Sequence, residues 1–276
     1  MKDGEFKLSP QKTHPFFKKY EKESPDNSYV AKYLKETKAE DSIRLNKYIS
    51  NSGVCSRRDA DNLISKGDIK VNGKVVTELG TKINPKDIVE FKGRKIFEAQ
   101  HVYILLNKPK DTITTTKDPE NRATVMDLVE KATNQRIFPV GRLDRNTTGV
   151  ILLTNDGDFA QKLSHPSSNV KKIYYAELDN PLKIEDFNTL KSGIDLPDGF
   201  ICADDLAFVD NDDNSKIGIE IHSGRNRIVH RMFEHLGYKV RKLDRVVYAG
   251  LDKSGLKKGK WRFLRYNEVQ QVLNSI

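Results

Sequence analysis

The run Gly141-Arg142-Leu143-Asp144-Arg145-Asn146-Thr147-Thr148-Gly149 sets one carboxylate close to two arginines in a loop bounded by glycines. It leads directly into Val150-Ile151-Leu152-Leu153-Thr154-Asn155-Asp156-Gly157, whose apolar start reads as a strand. A loop at the edge of a strand is a rigid place to hold a reactive group, and a carboxylate among cations stays ionised at neutral pH. Nucleophilic attack or proton abstraction is the chemistry such a group performs. Glycoside or nucleoside hydrolysis fits poorly, because it calls for a second carboxylate in defined geometry. Asp156 and Asp158 lie too near the following turn for that, and Asp158 reads as the N-cap of the next helix.

The elements around this loop are strongly polarised in charge. Residues 43–97 carry twelve Lys/Arg against six Asp/Glu, and residues 225–265 carry thirteen against three, whereas residues 98–224 carry fourteen against twenty-one. Two separated basic segments are the footprint of a polyanion track. The chain has no apolar run of the length a membrane span requires and no apolar signal-peptide core, so a soluble, cytoplasmic protein without membrane contact is expected. Cys55 and Cys202 stand without a Cys/His cluster at metal-ligand spacing. Free thiols and no metal site follow.

Three units are expected along the chain. Residues 1–42, rich in Lys, Glu, Ser, Asp and Pro, read as a disordered charged arm. The aromatics of that arm, Phe6, Phe16, Phe17, Tyr20, Tyr29 and Tyr33, suit stacking on bases or packing on the protein's own surface, and the second is favoured. In residues 43–97, Leu45, Tyr48 and Ile49 recur at helical spacing up to Gly53, and Ser56 with Asp59 opens a second helix that ends at Gly67. Asn72-Gly73 then turns a hairpin between Ile69–Val71 and Lys74–Val76. Residues 98–276 alternate strand-like and helix-like runs. Strands are expected at 102–106, 149–153, 173–178, 217–221 and 246–248, and helices at 124–132, 158–165, 184–192, 225–236 and 267–275. The fold class is α+β, with a mixed, mostly antiparallel sheet flanked by helices.

The 43–97 segment, with Arg44-Leu45-Asn46-Lys47-Tyr48, Ser56-Arg57-Arg58-Asp59-Ala60 and Val71-Asn72-Gly73-Lys74, resembles the alpha-L domain, the small RNA-binding module named after ribosomal protein S-four. Arg57 and Arg58 open a helix, where cations are unfavourable unless an anion such as phosphate arrives, and Lys74 follows the hairpin turn. Gly141-Arg142-Leu143-Asp144, with Thr147, Gly149 and the strand beyond, resembles the catalytic motif of RNA pseudouridine synthases. Leu106-Asn107-Lys108-Pro109, Lys172-Ile173-Tyr174 and Gly224-Arg225-Asn226-Arg227 follow in the family's order. Asp118-Pro119-Glu120-Asn121-Arg122-Ala123-Thr124-Val125 and Leu163-Ser164-His165-Pro166-Ser167 point within it to synthases of large-subunit ribosomal RNA.

The resemblance implies isomerisation of uridine to pseudouridine in ribosomal RNA. Asp144 would attack or deprotonate the ribose, and the uracil would detach, rotate and rejoin through carbon five. Both chemical routes stay open at this point. No cofactor is implied, since nothing is oxidised or reduced. The target nucleotide must leave its stack, at a cost of a few kcal/mol. Arg145 would fill the space or grip the phosphate, and Tyr174 would stack on the base. Arg142, Lys108, Arg225, Arg227 and Arg231 join the expected RNA contacts. A monomer with ribosomal RNA as partner is expected. The alternatives are a ribosome-assembly factor that binds RNA without turnover and a synthase of small-subunit RNA.

One position departs from the family pattern. The late helix usually reads Gly-Arg-Asn-Arg-Gln-(Ile/Val)-Arg-Arg-Met, and the first arginine of its Arg-Arg pair is the expected salt-bridge partner of the catalytic Asp. Here that position is His230. An imidazole as counter-ion would couple activity to pH, because its ordinary pKa is about 6.5. Arg227 and Arg231 on the same helix are the other candidates.

Overall fold

The computed structural model describes Phe16 and residues 42–275. The rest of the expected arm, with its other aromatics, lies outside the described residues.

The N-terminal module runs β1 (Ile43–Arg44), α1 (Leu45–Asn51), α2 (Arg57–Ser65), β2 (Ile69–Val71), β3 (Lys74–Val75), β4 (Lys82–Ile83), β5 (Val89–Phe91) and β6 (Arg94–Lys95). Its start and stop signals act as their residue types dictate. The Ser56 hydroxyl accepts from the Asp59 amide at 3.1 Å and donates to the Asp59 carboxylate, which caps α2. Asn72 and Gly73 take φ of 51° and 78°, the pair of left-handed residues a type I′ turn requires. Leu45, Ile49, Ala60, Ile64, Ile69, Ile83 and Val89 form a small core of their own.

The larger unit runs β7 (Tyr103–Lys108), α3 (Val125–Val129), β8 (Phe138–Val140), β9 (Thr148–Thr154), α4 (Gly157–Ser164), β10 (Lys172–Leu178), α5 (Ile184–Ser192), β11 (Ile194–Leu196), β12 (Gly199–Ile201), β13 (Asp205–Phe208), β14 (Lys216–Ile221), α6 (Ile228–His235), β15 (Val240–Tyr248), β16 (Leu251–Asp252), β17 (Trp261–Phe263) and α7 (Tyr266–Asn274). Its main sheet is ordered β13-β14-β10-β15-β9-β7-β17, with β16 on β15 and β8 on β9. Every pairing in it is antiparallel except β15 with β9. The α+β class and the mixed, mostly antiparallel sheet are therefore as the sequence pattern leads one to expect.

β7 and β9 are buried on both faces, so they read as continuous apolar runs rather than alternating ones. Ile104, Leu106, Ile151 and Leu153 face one way, toward Val125, Val129, Val229, Met232 and Phe233. Tyr103, Leu105, Val150 and Leu152 face the other way, toward Phe159, Leu163, Val269 and Val272 of α4 and α7.

Two expectations shift. The late helix begins at Ile228 rather than at 225, because Arg227 takes φ of 47° and cannot continue a right-handed helix. The N-cap of α4 is Asp156, not Asp158. The Asp156 carboxylate accepts from the amides of Asp158 and Phe159, each at 3.1 Å, while Asp158 pairs with Lys47 of α1.

Candidate active site

The loop before β9 is fixed from below. Leu143 is buried, and its backbone is clamped by Thr114, whose hydroxyl donates to the Leu143 carbonyl at 2.9 Å and accepts its amide at 3.3 Å. One residue on, the Thr147 amide donates to the Asp144 carbonyl at 3.1 Å and closes a turn. The side chain of Asp144 is left half-buried at the surface, 36% exposed, while Arg142 and Arg145 are exposed. The Arg145 guanidinium stands 3.3 Å from Asp111.

Gly149 marks where this loop enters the sheet. Its φ is 111°, and a Cβ there would overlap the Arg245 backbone, so only glycine lets β9 approach β15. The contact is secured by Asp244, which is buried and accepts from the Thr148 hydroxyl at 2.8 Å while its other oxygen is held by Lys253.

Lys108 lies beneath the loop and is fully buried. Its ammonium donates to the carbonyls of Pro109, Thr112 and Arg145 at 3.0, 2.8 and 3.2 Å, which uses all three protons. Burial pushes its pKa down to about 8, opposed by the negative charges of Asp144 and Asp111. The residue expected to touch RNA is instead an internal cation that ties the Asp144 loop to the end of β7.

The counter-ion question has a geometric answer. The Arg227 guanidinium lies 3.7 Å from the Asp144 carboxylate, carried on the left-handed turn that opens α6. His230 is next in line on α6 but is held neutral. Burial pushes its imidazole below the ordinary value, Arg227 adds to that, and the opposing pull of Glu234 and Asp144 is smaller. Its Nδ1 is buried without a hydrogen-bond partner. The pH coupling expected of an imidazolium at this position therefore has no charged group to carry it at neutral pH. Arg231 faces away from Asp144 and pairs with Asp198. Arg225 turns the same way, donating to the carbonyls of Gly199 and Phe200 at 2.8 and 2.7 Å. Both arginines pin the loop between β11 and β12 rather than facing the carboxylate.

Tyr174 sits on β10, buried, on the same face of the sheet as Leu143 and Val229. Its register is informative. Tyr174 lies opposite Arg245 on β15, Arg245 beside Gly149 on β9, and Gly149 opposite Lys108 on β7. At ~4.8 Å between strands, Tyr174 is about 10 Å across the sheet from the residue that ends the Asp144 loop. Arg245, which the sequence places in the basic 225–265 track expected to contact phosphates, is instead buried in this row. Its Nε donates to the Val150 carbonyl at 2.8 Å, and its guanidinium carbon lies 4.3 Å from the centre of the Tyr248 ring. Thr114 and Asp244 were missed. Thr114 falls in a run of threonines that carries no local signal.

Arg57, Arg58 and Lys74 of the N-terminal module are exposed. The positive charge continues into the larger unit, where Arg136 donates to the Cys55 carbonyl at 3.4 Å and helps, with Lys117, to hold the Asp59 carboxyl below its ordinary value. The larger cause of that shift is the Ser56 hydroxyl.

Residues 102–235 match the family model described as RNA pseudouridylate synthase, and residues 43–89 match that of the S4 domain. Among curated proteins, the ribosomal large subunit pseudouridine synthase B of Bacillus subtilis (strain 168) is 44% identical over 83% of this chain and 95% of its own length. A protein of Aquifex aeolicus (strain VF5) named as an uncharacterized RNA pseudouridine synthase is 39% identical over 85% of this chain and 95% of its own. The dual-specificity RNA pseudouridine synthase RluF of Escherichia coli (strain K12) is 37% identical over 85% and 80%. A crystal structure of a pseudouridylate synthase, 26% identical, superposes with a TM-score of 0.60 and covers 84% of this chain and 100% of that one.

Proposed function

The chain belongs to the RNA pseudouridine synthases, and we propose that its substrate is a uridine of large-subunit ribosomal RNA, converted to pseudouridine with Asp144 as the reacting carboxylate. Ribosomal RNA as substrate is supported by the Bacillus relative's name and by the S4 domain ahead of the catalytic unit. The observation that carries the residue assignment is the setting of Asp144. It is a carboxylate on a clamped loop, beside one guanidinium and above a buried ammonium, on a sheet face shared with Tyr174.

In this reading the target uridine is drawn out of its stack, which exposes the ribose and base to a side chain that could not reach them in a helix. The exposed Arg145 at the tip of the loop takes up the space left behind. Tyr174 supports the base from the sheet. Arg227 keeps the carboxylate ionised as RNA covers it and water leaves, when Coulomb attraction grows in strength. Asp144 then attacks or deprotonates the sugar, and the bond from the ribose to uracil nitrogen one breaks. The uracil turns in the pocket, carbon five closes the new bond, and the proton leaves carbon five for solvent while nitrogen one takes one up. Arg57, Arg58 and Lys74 hold phosphates at a distance from the chemistry and set register rather than rate.

Asp144→Asn removes the charge while keeping size and hydrogen bonding. It should abolish pseudouridine formation in transcripts labelled with tritium at uracil carbon five, read as tritium release, and change RNA affinity less than about threefold. Retained turnover would overturn the assignment of Asp144. Carbodiimide mapping of ribosomal RNA with and without the gene tests the subunit: a missing modification in small-subunit RNA would overturn that part alone.

A further inference from the structure

The two faces of the main sheet are not covered alike. The face bearing Tyr174 packs on α3, α5 and α6, whereas on the opposite face α4 and α7 pack in one cluster with β7, β9 and the Tyr248–Leu251 end of β15 and β16. Behind β10, β14 and β15 the apolar side chains Ile173, Tyr175, Val209 and Val247 are buried around one further residue, Phe16, which comes from far outside this unit in sequence. Phe16 is only 6% exposed. Its ring occupies the space that Gly218 of β14 leaves by having no side chain, since a Cβ on Gly218 would come 2.5 Å from the ring's Cδ1 and 2.6 Å from its Cε1. A glycine in the middle of a central strand weakens that strand unless something else needs the room. Here the aromatic ring is what needs it.

We propose that Phe16 anchors the N-terminal part of the chain to the catalytic unit and closes the back of the sheet behind Tyr174. Ile173 and Tyr175, the residues on either side of Tyr174 in β10, are both in the cluster that receives the ring. The Phe16 ring therefore backs the strand on which, in the proposed function, the base is supported. It does not fix the orientation of the S4 domain. The twenty-seven residues from Phe16 to Ile43 can span as much as about 90 Å. The gain is local: an apolar face with no helix over it among the described residues is covered by the chain itself, and is kept from covering itself with a second molecule.

Limited trypsin digestion of the full chain tests the anchor, because Lys18 and Lys19 immediately follow it in sequence and Lys35 and Lys38 lie far along the arm. Burying one phenylalanine side chain is worth about a tenfold or larger change in an opening equilibrium. Phe16→Ala should speed cleavage after Lys18 and Lys19 by about tenfold or more, and leave cleavage after Lys35 and Lys38 unchanged. Gly218→Val, which fills the slot from the other side, should reproduce the pattern, and Phe16→Leu should stay within about threefold of the wild type. Equal cleavage rates at Lys18 and Lys19 in the wild type and Phe16→Ala would overturn the proposal, even if Gly218→Val fails to fold. So would a wild type that sediments as a dimer with this face between its copies. The outcome is independent of the activity, which the tritium assay follows separately.

Discussion

Replacing Arg227 with Gln should separate the two candidate counter-ions of Asp144. With 3.7 Å between the charged atoms, the Coulomb energy is about 1 kcal/mol in bulk water and about 4.5 kcal/mol at an effective dielectric of ~20. In the free enzyme Arg227 and Asp144 are 44% and 36% exposed, so solvent screens the pair and the low figure applies. Once RNA covers the loop the value moves toward the high one. A loss of about 1.5 to 3 kcal/mol at the transition state corresponds to a fall of roughly 10- to 150-fold in turnover. His230→Asn should cost less than about threefold at pH 7 to 8, because its imidazole is held neutral by burial and by Arg227. His230→Arg, which restores the family's residue, should keep turnover. Single-turnover rates on a large-subunit RNA fragment, at saturating enzyme so that weakened binding does not enter, measure all three. If His230→Asn is the more damaging change, or Arg227→Gln turns over normally, the assignment of the cation is refuted. High salt should weaken the Arg227 contribution in the free enzyme more than in the complex.

Gly149→Ala must push β9 away from the Arg245 backbone. It should cost about 2 to 4 kcal/mol, which for a unit of this size lowers the melting temperature by roughly 5 to 15 °C. A calorimetric scan that leaves it unchanged would refute the close-approach argument. Lys108→Met tests the buried ammonium. Its folded pKa of about 8 lies below the ordinary 10.5, so between those values the unfolded chain binds more protons. The stability this group contributes must then rise with pH across that window. The wild type should gain on Lys108→Met by about 3 kcal/mol from pH 8 to 10.5 in urea titrations, and a constant difference would count against the buried charge. Arg57→Ala with Arg58→Ala should weaken RNA binding uniformly and reduce the slope of log affinity against log salt by about 1.5 to 2, with single-turnover rates at saturation unchanged. An unchanged slope would remove these two residues from the phosphate track.

What was legible in the sequence follows from how local the cause is. The cap at Ser56, the turn at Asn72-Gly73 and the span of α5 at 184–192 depend on neighbours within a few residues, and the structure reproduces them. Asp144 was legible because its loop is a contiguous motif. Long-range pairings were not. Lys108 reads as a surface cation in Asn107-Lys108-Pro109, and only the fold shows that three carbonyls from two separate loops close around its ammonium. Arg225 and Arg231 read as a basic track along a helix, yet Asp198, some thirty residues earlier, takes both. The strand at β8 is not legible in the sequence, because Phe138-Pro139-Val140 is short and carries a proline, which an edge position tolerates. His230 was legible as a departure from the pattern, but its charge state depends on burial that no single sequence shows.

The position of the Asp144 loop follows from a seam in the sheet. One half is β17-β7-β9 with β8, and the other is β13-β14-β10, to which β15 adds an antiparallel edge. The halves meet where β15 runs parallel to β9, and their register there is only two residues long, Asp244 with Thr148 and Arg245 with Gly149. So short a ladder is weak by itself, and two features specific to this sequence hold it. Gly149 removes the side chain that would part the strands, and Asp244 binds Thr148 from one oxygen and Lys253 from the other. The loop carrying Asp144 ends at the first residue of that seam. It is therefore placed between Lys108, which belongs to one half, and Tyr174, which belongs to the other. The seam brings this loop to the sheet face that carries Tyr174, and under the proposed function the glycine and the buried Asp244 would therefore matter to the chemistry although neither would touch the substrate.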